Sequence, residues 1–146
     1  EGHIVNTASI AGLSTSAFMS VYDVTKHGVV ALSEAIFKEF EATGALIGVS
    51  VVCPGLINTN IMRSSRNRPV ELSDEGKAGP MAQAFGQGLA DRLTNGYPPS
   101  EVADQVVRGI REKRFYVVPA QPEVREAATI RARDIIELRN PTPRRI

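Results

Sequence analysis

Tyr22 and Lys26 have the most chemistry to offer, standing four apart in the run Tyr22-Asp23-Val24-Thr25-Lys26. On a helix that spacing puts a phenol and an ammonium on one face, about 6 Å apart along the axis. A free tyrosine, with a pKa of about 10, is a poor acid or base at neutral pH. A neighbouring ammonium favours the phenolate, which would let Tyr22 exchange a proton with an alcohol or a ketone. By itself the pair also fits an ordinary exposed helix pair, worth only a few tenths of a kcal/mol.

Two further groups stand near strand ends. Ser9 closes an apolar run, Gly2–Asn6, that reads as a buried strand, and Tyr22 opens the helix that follows. In an open α/β sheet, ligands bind outside the carboxyl ends of the strands, so Ser9 and Tyr22 can converge on one substrate oxygen. The serine hydroxyl would hold and polarise a carbonyl while Tyr22 donates the proton. Taken alone, Ser9 is an ordinary turn residue. The next strand ends at Pro54-Gly55-Leu56-Ile57-Asn58-Thr59. Pro-Gly is a common turn pair; alternatively, this break lines the same crevice, with backbone groups and the Thr59 hydroxyl facing a cofactor ring.

The elements that must position these groups follow from hydrophobic period. From about Val21 to Thr43, Val29, Leu32, Ile36 and Phe40 recur at spacings of three and four, and Gly44 is placed to end the helix. Ile47 to Cys53 is an almost unbroken β-branched run, the pattern of a strand covered on both faces in a parallel sheet. Strand, helix and strand make a βαβ unit. Residues 62–99 hold several Gly and Pro, the arginines Arg63, Arg66 and Arg68, and a helix from about Met81 to Leu93. A helix over Ser100–Lys113, with Val102, Val106, Val107 and Ile110 as its buried stripe, leads to a strand at Phe115–Val118. Pro122 opens a last helix running to about Leu138, and the Pro- and Arg-containing tail 140–146 is expected to fray.

Composition sets the outer bounds. The 146 residues suffice for one domain, 42% hydrophobic and 23% charged, with a net charge of +1 that gives no case for nucleic acid or an anionic membrane. No apolar run approaches the roughly 20 residues of a membrane span. The single Cys53 excludes an internal disulfide and suits a reducing, cytoplasmic setting; within its apolar strand it reads as a core residue. His3 lacks a second ligand-like neighbour, so no metal site is expected, and His27 is expected at the surface. The chain starts at Glu1 and runs at once into a strand, so it is expected to belong to a longer polypeptide.

The blocks Gly2-His3-Ile4-Val5-Asn6-Thr7-Ala8-Ser9, Tyr22-x-x-x-Lys26 and Pro54-Gly55-x-x-x-Thr59 resemble the second half of a short-chain dehydrogenase/reductase, in order and in the thirteen residues from Ser9 to Tyr22. The resemblance spans Gly2 to about Thr59 and continues more weakly to Val118. It implies the C-terminal half of a doubly wound parallel Rossmann-type sheet with flanking helices, binding NAD or NADP. It implies Tyr22 as general acid/base, with Lys26 lowering its pKa and bonding the nicotinamide ribose. Ser9 would orient the substrate oxygen. Pro54, Gly55, Ile57 and Thr59 would contact the nicotinamide end, Thr59 near the carboxamide. The stretch 62–99 would be a substrate lid, and an anionic substrate is the lesser reading of its three arginines. The helix over Val21–Thr43 resembles a family dimer face, so a homo-oligomer is expected of the complete protein.

The family's Gly-rich phosphate loop and its ribose-reading residue belong before residue 1, and Gly86-Gln-Gly88 is no substitute. The chain as given is therefore expected to be a partial dinucleotide-binding domain, inactive alone. The leading function is hydride transfer between NAD(P) and the carbinol or carbonyl carbon of a small alcohol or ketone. The alternatives are an extended-branch epimerase or dehydratase, and a non-catalytic Rossmann-like scaffold or dinucleotide sensor.

Overall fold

The β-branched run from Ile47 supplies the central strand, and the two other apolar runs flank it. The computed structural model describes residues 1–72, 79–119 and 121–143. Strands β1 (Gly2–Thr7), β2 (Ile47–Val52) and β3 (Tyr116–Val117) form a parallel sheet in the order β1-β2-β3. β1 pairs with β2 from Gly2↔Ile47 to Thr7↔Val52. Val49, Val51 and Val52 are almost fully buried, as a strand covered on both faces requires. The chain is an α/β fold with helices flanking a parallel sheet, as its periodicity predicts.

Helix α1 (Ser20–Thr43) makes the crossover from β1 to β2. It ends where expected, at Gly44 in the left-handed region (φ 67°), whose N–H returns to the carbonyls of Phe40 and Glu41. Its sheet-facing side differs from the predicted stripe. Val30 and Ser33 are buried, whereas Leu32 is 57% exposed. α1 carries apolar residues on more than one side, so period alone does not say which side packs. Polar contacts decide it: Asn6 Nδ2 donates to Ser33 Oγ at 3.0 Å, and Ser33 Oγ donates to the Val29 carbonyl at 2.7 Å. Lower on the same face, the Phe37 ring meets Phe115 edge-on at 5.1 Å between centroids.

Behind the sheet, His3 Nε2 lies 2.7 Å from Ser50 Oγ, which lies 2.6 Å from the Arg114 carbonyl. The carbonyl can only accept, so Ser50 donates to it and receives the Nε2 proton of His3. This relay joins β1, β2 and the approach to β3 through polar groups that would otherwise be buried unpaired. Helix α3 (Pro99–Arg111) reaches β3 through its buried Gly109, which faces the Val117 side chain closely enough that a Cβ there would collide with it. Val107, predicted in the buried stripe, is 46% exposed.

The chain divides into two compact units, Glu1–Gly55 with Ser100–Ile146, and Leu56–Pro99. The second unit contains helix α2 (Pro80–Thr94) and two 3-10 stretches, Ile61–Asn67 and Val70–Leu72. Its two ends are sewn together, with Tyr97 N–H donating to the Leu56 carbonyl at 3.0 Å and Asn58 N–H to the Tyr97 carbonyl at 2.9 Å. The expected lid stretch, 62–99, falls within this unit, apart from residues 73–78, which lie outside the described residues. Among the described residues no helix is long and apolar enough to cross a membrane, and no cluster of His, Cys, Asp and Glu could hold a metal ion.

Helix α4 (Pro122–Ile136) starts at its proline as predicted. The expected fraying of the tail is not what residues 140–143 do. Thr142 N–H donates to Asp134 Oδ2 at 2.8 Å, its hydroxyl to Oδ1 at 3.1 Å, and Arg139 Nη2 stands 3.0 Å from Oδ1. Periodicity cannot reveal a side chain reaching past a helix end to fold the chain back on itself; residues 144–146 lie outside the described residues. The Thr142 N–H holds the Asp134 carboxyl below its usual range, with the Thr142 hydroxyl and Arg139 adding to it against the opposing effect of burial. A depressed carboxyl contributes stability above its unfolded pKa of about 4 and loses it as pH falls through the lower folded value. Asp134→Asn should therefore melt below wild type at pH 7, and the gap should close as the pH falls from about 4 toward 2. Thermal melts over that range check this; a gap constant with pH would contradict it.

Candidate active site

Each candidate side chain stands at an element end, where backbone groups are left over for it to use. β1 stops at Thr7, and Ser9 follows with a fully extended backbone (φ −173°, ψ 168°) that caps a short 3-10 turn, Ile10–Gly12. Its Oγ accepts the Ala11 N–H at 3.2 Å. That bond uses a lone pair and leaves the hydroxyl proton to be given elsewhere. Ser9 is buried, so its rotamer is held by its surroundings.

Tyr22 and Lys26 occupy the first two turns of α1. Lys26 Nζ lies 5.7 Å from the Tyr22 ring centroid and donates to the Thr7 carbonyl at 3.0 Å. One ammonium thus reaches the face of the phenol ring and the last carbonyl of β1, two residues before Ser9. It keeps two further N–H donors. The Tyr22 hydroxyl has no hydrogen bond among the described residues.

The turn carrying Ser9 packs directly on the turn carrying Lys26. A Cβ placed on Gly12 would stand 2.7 Å from the Lys26 carbonyl oxygen and 2.8 Å from Val30 Cγ2. Only glycine permits this approach, so Gly12 sets the distance between the serine segment and the helix. In the sequence only one signal marks it, a glycine just past a strand end, which can indicate a close backbone approach.

Asp23 sits between the two candidates along the helix and is buried, its Oδ2 accepting the Ser16 N–H at 3.0 Å. This holds the Ser14–Phe18 segment against the start of α1. His27 is half-buried rather than on the surface as expected, its Nδ1–H donating to the Asp23 carbonyl at 2.9 Å. Local hydrogen bonding along the helix, invisible to side-chain period, draws the ring inward.

At the end of β2, Pro54 and Gly55 are half-buried and belong to the first unit, with Ser9, Tyr22 and Lys26. The Pro54 carbonyl accepts the Ile10 N–H at 2.8 Å, and the Gly55 N–H donates to Gln121 Oε1 at 2.7 Å. Gln121 was not singled out from the sequence, where nothing marks an isolated glutamine before a proline. Ile57 and Thr59 belong to the second unit. There Ile57 is buried, and the exposed Thr59 has its Oγ1 3.4 Å from the Ile61 nitrogen. Arg66 Nη1 binds the Asn60 and Arg63 carbonyls at 3.2 and 2.9 Å, which commits part of the basic patch to its own loop.

A family model described as short chain dehydrogenase matches residues 1–69. The chain is similar to the CLA biosynthesis dehydrogenase/reductase of Lactiplantibacillus plantarum, 31% identical over 91% of this chain and 47% of that protein. It is also similar to the C alpha-dehydrogenase of Sphingobium sp. SYK-6, 32% identical over 86% of this chain and 39% of the relative. Among solved structures, a short chain dehydrogenase/reductase from Burkholderia phymatum in complex with NAD superposes with a TM-score of 0.92 and 33% identity, over 99% of this chain and 51% of that one. The chain spans about half the length, or less, of the curated relatives it matches.

Cys53 lies beside this centre and is fully buried. Burial pushes its thiol up to about 11, although the Ser9 backbone N–H and the Lys26 charge pull the other way. The thiolate is the reactive form, so Cys53 should resist alkylation at pH 8 in the folded protein and react fully in guanidinium. Mass spectrometry after iodoacetamide checks this; rapid labelling of the native protein would contradict it.

Proposed function

Because the chain belongs to the short-chain dehydrogenase/reductase family, we propose that the full protein moves a hydride between NAD or NADP and the carbinol or carbonyl carbon of a small alcohol or ketone. The observation that carries this is the position of the Lys26 ammonium, shared between the Tyr22 ring and the Thr7 carbonyl beside Ser9.

In this reading Tyr22 is the general acid/base. Its hydroxyl, uncommitted to other groups among the described residues, gives its proton to the ketone oxygen in reduction and takes it back in oxidation. Ser9 donates its free hydroxyl proton in a hydrogen bond to the same oxygen and holds it in place, while the Ala11 N–H fixes the serine rotamer. Lys26 stabilises negative charge on the phenol oxygen during the transfer. Its spare N–H donors suit the nicotinamide ribose, and Pro54, Gly55, Ile57 and Thr59 are the proposed contacts of the nicotinamide end. The bound dinucleotide supplies or accepts the hydride.

The fit of such a group rests on the ammonium donors left beyond the one spent on Thr7; the Pro54-Gly55 peptide, its N–H already bonded, would offer a fixed surface and no free donor. A homo-oligomer is proposed as well. Val21, Val24 and Leu32 lie 79%, 72% and 57% exposed along one stripe of α1, an apolar surface that a second copy would cover. A scattering mass of one subunit for the full-length protein would argue against it.

The decisive experiment uses full-length protein. Tyr22→Phe should lower kcat on alcohols by about 10² to 10⁴ while NAD(P)H fluorescence still reports binding. Lys26→Met should lower kcat and weaken cofactor binding together. Turnover by Tyr22→Phe within a few-fold of wild type would end the assignment.

A further inference from the structure

We infer that Gln121 is a positioning residue that locks the Pro54-Gly55 peptide plane and so fixes the floor of the nicotinamide site, an inference that rests on the dehydrogenase reading above. The two polar groups of that one peptide bond are held from opposite directions. Its carbonyl, on Pro54, accepts the Ile10 N–H at 2.8 Å, and its N–H, on Gly55, donates to Gln121 Oε1 at 2.7 Å. An N–H can only donate, so the amide oxygen of Gln121 faces it, which settles the orientation of that side chain.

Gln121 is built to be immobile. It is only 1% exposed, and its own backbone is engaged at both ends, its N–H to the Pro119 carbonyl at 2.6 Å and its carbonyl from the Val124 N–H at 3.0 Å. It stands at the N-terminus of α4, which also packs on the Ile10–Gly12 turn. Gly55 is pressed against this support, since a Cβ there would lie 2.9 Å from Gln121 Oε1 and 3.1 Å from Val124 Cγ2. A peptide fixed at both poles cannot flip, and a flip here would turn the backbone that the nicotinamide ring meets. Because the second bond comes from Ile10, next to Ser9, the same plane relates the substrate-orienting serine to the cofactor floor.

The test uses the full-length protein with NADH and NADPH as probes. In wild type, the Gly55 amide should exchange with deuterium far more slowly than the exposed amides that follow at Thr59 and Asn60. Gln121→Met keeps the length of the side chain but offers no acceptor. It should speed exchange at Gly55 and raise the dinucleotide dissociation constant about tenfold, the order expected when a buried donor loses its partner. Gln121→Glu, which keeps an oxygen in place, should restore most of the affinity. Fast exchange at Gly55 in wild type overturns the clamp without any variant. So does a folded Gln121→Met that binds as wild type does, or a Gln121→Glu that binds no better than Gln121→Met. If wild type binds neither dinucleotide, the dehydrogenase reading fails and takes the cofactor half of this inference with it, while the exchange rates still judge the clamp.

Discussion

The hydrogen bond from the Lys26 ammonium to the Thr7 carbonyl ties the helix that carries Tyr22 to the strand that delivers Ser9. A backbone carbonyl at the end of a strand has no ladder partner beyond it, and an ammonium carries three donors, so each supplies what the other lacks. The tie also limits what Lys26 can do. With one donor committed to Thr7, the lysine is an anchored group at a set distance from the phenol ring rather than a free surface cation. Ordering this long side chain costs rotamer entropy of about 2 kcal/mol, which a site assembled on the folded scaffold has already met before any ligand arrives.

Around that tie, contact distances are set by glycines and orientations by hydrogen bonds. Gly12 brings the serine turn against the Lys26 carbonyl, and Gly55 brings the β2 exit against Gln121 and Val124. Neither glycine is in the left-handed region, where only Gly44 stands among the described glycines. Their value is the missing Cβ. Close approach alone would leave peptide planes free to turn, and the bonds to Ile10, Ala11 and Gln121 remove that freedom. In the proposed hydride transfer such positioning would contribute to rate, because reacting groups would not have to be ordered during the reaction.

The sequence made the sheet and its crossover legible, since a long β-branched run and a capped amphipathic segment have few other ways to fold. Tyr22, Lys26 and Ser9 were legible as candidates because they combine rare chemistry with element ends. What remained hidden follows one rule. The packed side of α1, the depth of His27, the pinning of Thr142 and the support at Gln121 all depend on polar contacts whose partners are remote or off the apolar stripe. Hydrophobic period records which side of an element avoids water, but it carries no record of which buried donor meets which acceptor. The separation of 66 positions from Gly55 to Gln121 shows the difficulty, since neither residue type in isolation announces a partner.

Pro54 shows how a single imino acid interrupts a continuous sheet ladder. The β1–β2 ladder runs in register to Thr7↔Val52 and is extended by the Ala8 N–H to the Val52 carbonyl at 2.8 Å. The next donor back toward β1 should come from residue 54, and proline has none. The ladder therefore loses a rung at the point where the chemistry-bearing residues begin. A gap in a buried ladder would ordinarily be costly, and the neighbouring polar groups are instead collected by the remaining bonds: Ile10 to Pro54, Gly55 to Gln121, Cys53 N–H to Val117. On the β1 side of Pro54 the regular ladder gives way to the single Ile10 bond, while β3 and α4 hold the chain on the other. The ladder lacks one donor at Pro54, yet the Ile10–Pro54 bond keeps the two chain segments together beyond it, so regular pairing gives way to turns whose backbone is still fixed from both sides.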